Sequence, residues 1–142
     1  MPQTSVEIRN VAGSSLAVGS SGPRTLTIDR AKEAGGLGLG FNGGELLLLA
    51  IGGCFSNDIY REANKRGLKV QNVEINVTAD WAGDPVTAQN VRLSVAVGAE
   101  ASEQEILDLI HYTDSIAEIP NSLRLGTEVK LTESKGISSS RR

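Results

Sequence analysis

The chain's one cysteine, Cys54, is its most reactive side chain, and it sits in the run Ile51-Gly52-Gly53-Cys54-Phe55-Ser56-Asn57-Asp58. A thiol acts as a nucleophile or redox centre through its thiolate, which needs a nearby cation or the positive end of a helix. Asn57 and Asp58 follow at i+3 and i+4, so on a helix Cys54 shares its stripe with polar groups. A carboxylate there opposes a thiolate, and a position well inside a helix gains little from the dipole. The cation must come from elsewhere, with Arg24, Arg30 and Arg61 available. The competing reading is inert packing, because free cysteine is among the most buried residue types. Gly52 and Gly53 bear on the choice: inside a helix each costs about 1 kcal/mol against Ala, so something needs close approach there.

Two other constellations resemble known chemistry and fail on context. Gly38-x-Gly40-x-x-Gly43 matches the dinucleotide fingerprint and leads into a helix. That fingerprint needs a strand running directly into the turn and an acid ending a second strand about 20 residues later. Here the preceding strand ends near Asp29, and Glu62 falls inside the same helix, so a closely packed loop is expected and no nucleotide cofactor. Asp108, His111 and Ser115 read like a hydrolytic triad, but they lie on one helix, where side chains splay and cannot converge on one carbonyl. Glu45 has a structural role open to it, as the third residue of a helix reaching back to its cap.

Composition narrows the classes further. The 142 residues carry a net charge of −3 and a pI near 5.2, which argues against a nucleic-acid or anionic-membrane surface. One Cys and one His exclude an intramolecular disulfide and cannot complete a Cys/His zinc site, so no metal is expected. No run approaches the roughly 18 apolar residues of a membrane span, and no basic-then-apolar leader opens the sequence. One cytoplasmic domain spanning 1–142 is expected, with a frayed tail from about 136 to 142. Only 4% of residues are aromatic, so Leu, Val, Ile and Ala must fill the core.

The elements that position these residues follow from periodicity. Val6 with Ile8, Leu16 with Val18, and Leu26 with Ile28 predict short strands joined by small-residue turns. A glycine-rich stretch over residues 35–44 precedes a long helix over about 44–66, started by an Asn42/Glu45 capping box and stopped by Lys65-Arg66-Gly67. Its first half, residues 46–51, is apolar on every side and must be covered by a sheet plus a second helix, or by a partner subunit. Val73, Ile75, Val77, Ala79 and Trp81 alternate with polar residues, as do Val91, Leu93, Val95 and Val97, which suits a half-wet antiparallel pair. Ser102-x-x-Glu105 opens a second helix that buries Ile106, Leu109, Ile110 and Ile116, and Pro120 closes it. Thr127, Val129 and Leu131 predict a last strand. The class is α+β, an antiparallel sheet covered by two helices.

The run from Gly40 through Glu45-Leu46-Leu47-Leu48-Leu49-Ala50 to Cys54-Phe55 resembles the core motif of the OsmC/Ohr family, a loop followed by an E-L-L-x-A-type helix bearing a cysteine. Arg66-Gly67-Leu68, the paired strands, the second helix and Ile119-Pro120-Asn121-Ser122-Leu123 follow in that family's order. The resemblance implies an intertwined homodimer with two interface sites, each built around a helix cysteine. It further implies a thiol peroxidase that reduces organic hydroperoxides in oxidative-stress defence. In the peroxidase branches a second cysteine, in a Cys-Pro pair, resolves the sulfenic acid. Ile119-Pro120 stands in its place here, so an external thiol or dithiol would have to reduce Cys54.

Those branches also place a Glu ten residues before the cysteine, where this chain has Gly44. Glu45 lies one residue later, about 100° around the helix. The family arginine precedes the helix, which leaves Arg24 and Arg30 as its counterparts. The expected catalytic set is thus Cys54 as nucleophile, Arg24 or Arg30 stabilising its thiolate, and Glu45 orienting that arginine. Two alternatives stay open: a non-catalytic member of the fold holding a small apolar or acyl ligand, with Cys54 structural, and a hydrolase or transferase using Cys54 as a covalent nucleophile.

Overall fold

A long helix, α1 (Gly43–Lys65), organises the computed structural model, which describes residues 1–139. Asn42 caps it: its side chain accepts the Glu45 N–H at 2.8 Å, and Glu45 Oε1 accepts the Asn42 N–H at 3.0 Å. Both halves of the predicted capping box therefore form. At the far end Gly67 takes φ +67°, a left-handed turn that stops the helix.

Two 14-residue strands, β4 (Lys69–Ala82) and β5 (Thr87–Glu100), form an antiparallel ribbon beneath α1. Val73 faces Val97, Ile75 faces Val95 and Val77 faces Leu93, and these pairs point toward the helix while Glu74, Asn76 and Thr78 point to water. The core is small: Phe55, Ile59 and Ala63 of α1 meet Leu109 of α2 (Glu103–Ile116) and Ala117, with the ribbon's valines packed against them. Gly52 is where the helix comes down on the ribbon. A Cβ there would lie 3.1 Å from Val77 Cγ2 and 3.5 Å from Ile75 Cγ2. That close approach is the reason for one mid-helix glycine; a Cβ on Gly53 would meet nothing within 4 Å.

Before α1, β1 (Glu7–Asn10), β2 (Ala17–Ser21) and β3 (Arg24–Ile28) make a second antiparallel sheet in the order β1-β2-β3. The register puts Ile8, Gly19, Leu26 and Ile28 on one face, and that face is largely open. The parallel bridge between Ile28 and Phe41 ties this sheet to the rest. No helix among the described residues is long and apolar enough to cross a membrane.

Two local expectations need correction. Pro120 does not close the second helix. Ala117, at φ −63° and ψ 118°, breaks α2, and a third helix, α3 (Glu118–Arg124), starts at once. Pro120 is its third residue, a first-turn position where a missing N–H costs no helical bond. The predicted last strand is also absent: residues 127–131 carry no regular secondary structure, with Val129 93% and Leu131 87% exposed. Alternation supplies a strand with a face, whereas a strand forms only by pairing with a neighbouring edge, and this segment pairs with none of the edges of the two sheets. Residues 136–139 of the expected frayed tail are exposed without regular structure, and the rest of that tail lies outside the described residues.

The surface area makes the same point for the whole molecule. The chain exposes 10887 Å², whereas a compact monomer of 15.0 kDa exposes about 7,000 Å². The apolar start of α1 is part of that excess, since Leu49 and Ala50 remain exposed. Of the two ways to cover those residues, the chain's own sheet and helices do not supply the first.

Candidate functional site

Cys54 lies half-buried near the middle of α1, and its thiol donates to Asp58 Oδ2 at 4.0 Å. The i+4 spacing stacks the two side chains one turn apart on a single stripe, which Arg61 continues at i+7. Asp58 is buried, its side chain 8% exposed, and its Oδ1 lies 3.3 Å from Arg61 Nη1. One carboxylate thus holds a guanidinium on one oxygen and the thiol on the other. The Arg61 side chain is 44% exposed, so the ion pair opens to solvent on its outer side.

The ion network runs on toward the end of α1. Glu62, 5% exposed at its side chain, receives Lys65 Nζ at 3.1 Å and Arg61 Nε at 3.1 Å, with Arg66 Nη1 3.9 Å away. The Lys65 hydrogen bond, then that of Arg61, holds the Glu62 carboxyl below the usual carboxylate range against the opposing effect of burial. The Glu62 hydrogen bond in turn raises the Arg61 guanidinium pKa against the opposing effect of burial, and the charges of Asp58, of Glu62 itself and of Glu118 in α3 add to the rise. Arg66 lies over the Tyr112 ring at 4.8 Å, joining this end of α1 to α2.

The other expected site residues lie away from Cys54. Glu45 sits nine residues earlier, about 180° around the helix and about 13 Å along it, so within one chain the two side chains face opposite ways. Glu45 is occupied by the capping box and borders a groove of about 460 Å³ with Phe41, Leu48, Leu49 and the ribbon's Val73 and Ile75. Arg30 turns to the Ala34 carbonyl, 3.5 Å away. Arg24 shares the open face of the first sheet, beside a hollow of about 450 Å³ lined by Val6, Ile8, Leu26, Ile28 and Leu46. The structure therefore brings Cys54 together with Asp58 and Arg61, and with none of Glu45, Arg24 and Arg30. The Asp58–Arg61 pair follows from i, i+3 spacing, and it engages Arg61, the one of the three available arginines that lies on the helix of Cys54.

The loop ahead of α1 is shaped by Asp29, which the sequence pattern marks only as a strand end. Asp29 is buried and accepts the N–H groups of Arg30 at 2.7 Å, Leu37 at 3.1 Å and Leu39 at 3.1 Å, with the Ser15 hydroxyl 3.4 Å away. The Leu39 N–H is the largest influence holding its carboxyl below the usual range; burial opposes it, and the Arg30, Leu37 and Ser15 bonds add to it. Two of the three glycines of the apparent dinucleotide fingerprint serve this clasped loop, Gly38 at φ +69° and Gly40. A Cβ on Gly40 would fall 2.5 Å from the Thr27 carbonyl oxygen, so the loop passes directly over β3. On α2, Asp108 accepts from Gln104 at 2.8 Å and Ser115 donates to the Tyr112 carbonyl at 2.6 Å, local bonds on an exposed helix face. Among the described residues, no group of three or more His, Cys, Asp or Glu side chains could hold a metal ion.

A family model described as OsmC-like protein matches residues 35–132. Among solved structures, an OsmC-like protein from Mycoplasma pneumoniae superposes with a TM-score of 0.75 at 19% identity, covering 87% of this chain and 88% of that one. The organic hydroperoxide resistance protein OsmC from Legionella pneumophila gives 0.60 at 20% identity, over 87% of this chain and 90% of that one. The organic hydroperoxide resistance protein OhrB of Bacillus subtilis gives 0.59 at 14%, over 86% and 90%. At these identities the likeness is one of fold. No curated protein matches the chain by sequence.

Proposed function

The chain belongs to the OsmC-like protein family, and from that premise we propose that it is a one-cysteine thiol peroxidase acting on organic hydroperoxides. The observation that carries the reading is the setting of Cys54, the chain's one cysteine: it lies within the matched region, half-buried, with a polar stripe beside it. A cysteine kept for packing alone would sit among apolar atoms. Structural relatives named as organic hydroperoxide resistance proteins support the substrate class.

The chemistry closes with one cysteine and an outside reductant. Cys54 Sγ attacks the terminal peroxide oxygen, the O–O bond breaks, and the alcohol leaves, so the sulfur is oxidised to a sulfenic acid as the peroxide is reduced. An external thiol condenses with the sulfenic acid, releasing water and leaving a mixed disulfide. A second thiol, or the second group of a dithiol, then displaces Cys54.

The active unit in this reading is a cytoplasmic homodimer formed from a single domain per chain. Its support is the surface left open by one chain, an excess of several thousand Å² that matches the larger obligate interfaces. Glu45 and Cys54 face opposite ways on α1, so they can share a site only across two copies. In this reading the arginine of that site is Arg24, which lines the hollow on the first sheet, while Arg30 contacts the Ala34 carbonyl of its own loop.

The groove beside Phe41, Leu48 and Leu49 favours a second reading, a binding protein for a small apolar ligand with Cys54 structural. Turnover separates the two. The peroxidase reading expects consumption of tert-butyl hydroperoxide in the presence of a dithiol, abolished by Cys54→Ser. Consumption unchanged by that substitution, or absent with every thiol and dithiol supplied, contradicts it.

A further inference from the structure

The groove between α1 and the ribbon has an aromatic end. Gly44 and Gly52 lie two i+4 steps apart on α1, so both face the ribbon. Gly52 meets Val77 and Ile75, and Gly44 meets Trp81: a Cβ on Gly44 would fall 2.8 Å from Trp81 Cζ2 and 3.2 Å from Cη2. From Gly44 to Gly52 the helix advances about 12 Å, and from Val77 to Trp81 the strand advances about 13 Å. Helix and strand therefore run in step, and the missing side chain at Gly44 lets the indole lie against the helix backbone. Trp81 still stays 50% exposed, and it borders a hollow of about 370 Å³ that Glu45 and Leu48 also line. The same two residues line the groove of about 460 Å³ that runs past Leu49, Val77 and Ile75 to Val73.

We infer that this groove holds the organic body of the ligand and that Trp81 is the specificity-determining residue at its end, selecting an uncharged molecule with an aryl group. The inference rests on the organic ligand class proposed for the chain, and not on the chemistry of Cys54. The apolar body lies along Ile75, Val77 and Leu48, and its ring stacks on the indole. A groove of this size takes a small organic molecule, as ligand clefts of several hundred Å³ do. Because Gly44 seats the indole against the helix, the ligand gains a stacking surface without ordering a loose side chain. Glu45 sets the charge: its Oε1 accepts the Asn42 N–H, which holds the carboxylate where groove and hollow meet. A carboxylate fixed there repels an anionic headgroup and leaves a neutral one undisturbed.

Trp81 is the chain's one tryptophan, so its fluorescence reports the site without any turnover. Titration of the full chain with 4-phenyl-1-butanol should give a saturable blue shift of the emission. Its anionic counterpart 4-phenylbutyrate, and 1-hexanol, which lacks the ring, should each bind about tenfold more weakly. By calorimetry, Trp81→Leu should weaken binding of the phenyl alcohol about tenfold and Trp81→Phe should restore most of it. Gly44→Ala, which leaves the indole present but displaced, should weaken it as well. An emission that does not respond, equal affinity for the three probes, or wild-type affinity in Trp81→Leu overturns the inference. Should Trp81→Leu fail to fold, Gly44→Ala decides, and wild-type affinity there overturns it. A chain that binds the alcohol through Trp81 yet leaves tert-butyl hydroperoxide untouched overturns the peroxidase reading alone. Peroxide turnover with no response of Trp81 to the alcohol overturns this inference alone.

Discussion

The two sheets of this molecule are built by the same alternation of apolar and polar residues and end in opposite states. In the ribbon, Val73, Ile75, Val95 and Val97 turn toward α1 and pack against Phe55, Ile59 and Leu109. In the first sheet, Ile8 and Leu26 share a face with no comparable cover, and Leu26 stays 43% exposed. The difference lies in what the chain provides next: β4 and β5 are held between helices that follow and precede them, whereas β1, β2 and β3 reach the body through the Ile28–Phe41 bridge. Alternation therefore says that a face must be covered, and the rest of the chain decides whether the cover is its own. Half of this structure completes itself; the other half leaves apolar residues of its sheet open.

Substitutions on the two sheets should separate accordingly. The largest effect is expected from Phe55→Ala, which empties the self-made core and should cost about 3–5 kcal/mol in chemical denaturation, whatever the assembly state. Leu26→Glu should act through association instead. The wild-type chain is expected to sediment at twice its 15.0 kDa mass, and this variant as a monomer at the same low micromolar concentration. A wild-type monomer, or a variant dimer of undiminished affinity, breaks the contrast between the sheets.

A finer division runs along α1 itself. Gly52 meets Val77, while Gly53 faces open space. Gly53→Ala should therefore stabilise by about 0.5–1 kcal/mol through helix propensity. At Gly52 the same gain is opposed by overpacking of about 1–3 kcal/mol, for a net loss. Thermal melts of the two variants check the order, and a loss at Gly53 would mark that surface as a contact of the second copy.

The smallest expected effect concerns the loop between the two regions. Asp29 is held below its ordinary pKa by the N–H groups of its loop, so its stabilising contribution is full above the unfolded-state value near pH 4 and is lost as pH falls through the folded value. Asp29→Asn removes that dependence. Denaturation midpoints measured between pH 5 and pH 2.5 should fall less steeply in the variant, and an identical slope would show that the clasp carries no linkage.

Much of this fold was legible because its long elements announce themselves. The capping box at Asn42, the stop at Lys65-Arg66-Gly67 and the two half-wet strands follow from local rules that tertiary contacts did not override. What depended on pairing beyond the local pattern was not legible. Val129 and Leu131 alternate as a strand should, yet pair with no edge of either sheet. The site was legible in part for a related reason. Cys54 and its stripe could be read from spacing, since i+4 fixes a contact on a helix. The expected pairing with Glu45 does not form within one chain, because nine residues turn the helix through half a revolution and set the two groups on opposite sides. Asp29 was missed because its partners are backbone N–H groups of a glycine-rich loop, which leave no side-chain signature.

The central claim is that Cys54 is a peroxidatic thiol that works without a second cysteine. The most direct measurement is intact mass of the reduced protein after one equivalent of tert-butyl hydroperoxide, with a sulfenate trap present and Cys54→Ser as control. The account predicts rapid addition of one trap per chain, at Cys54 and absent from the control. A chain that keeps its reduced mass even in excess peroxide would contradict it and leave Cys54 as a packing thiol in a ligand-binding fold.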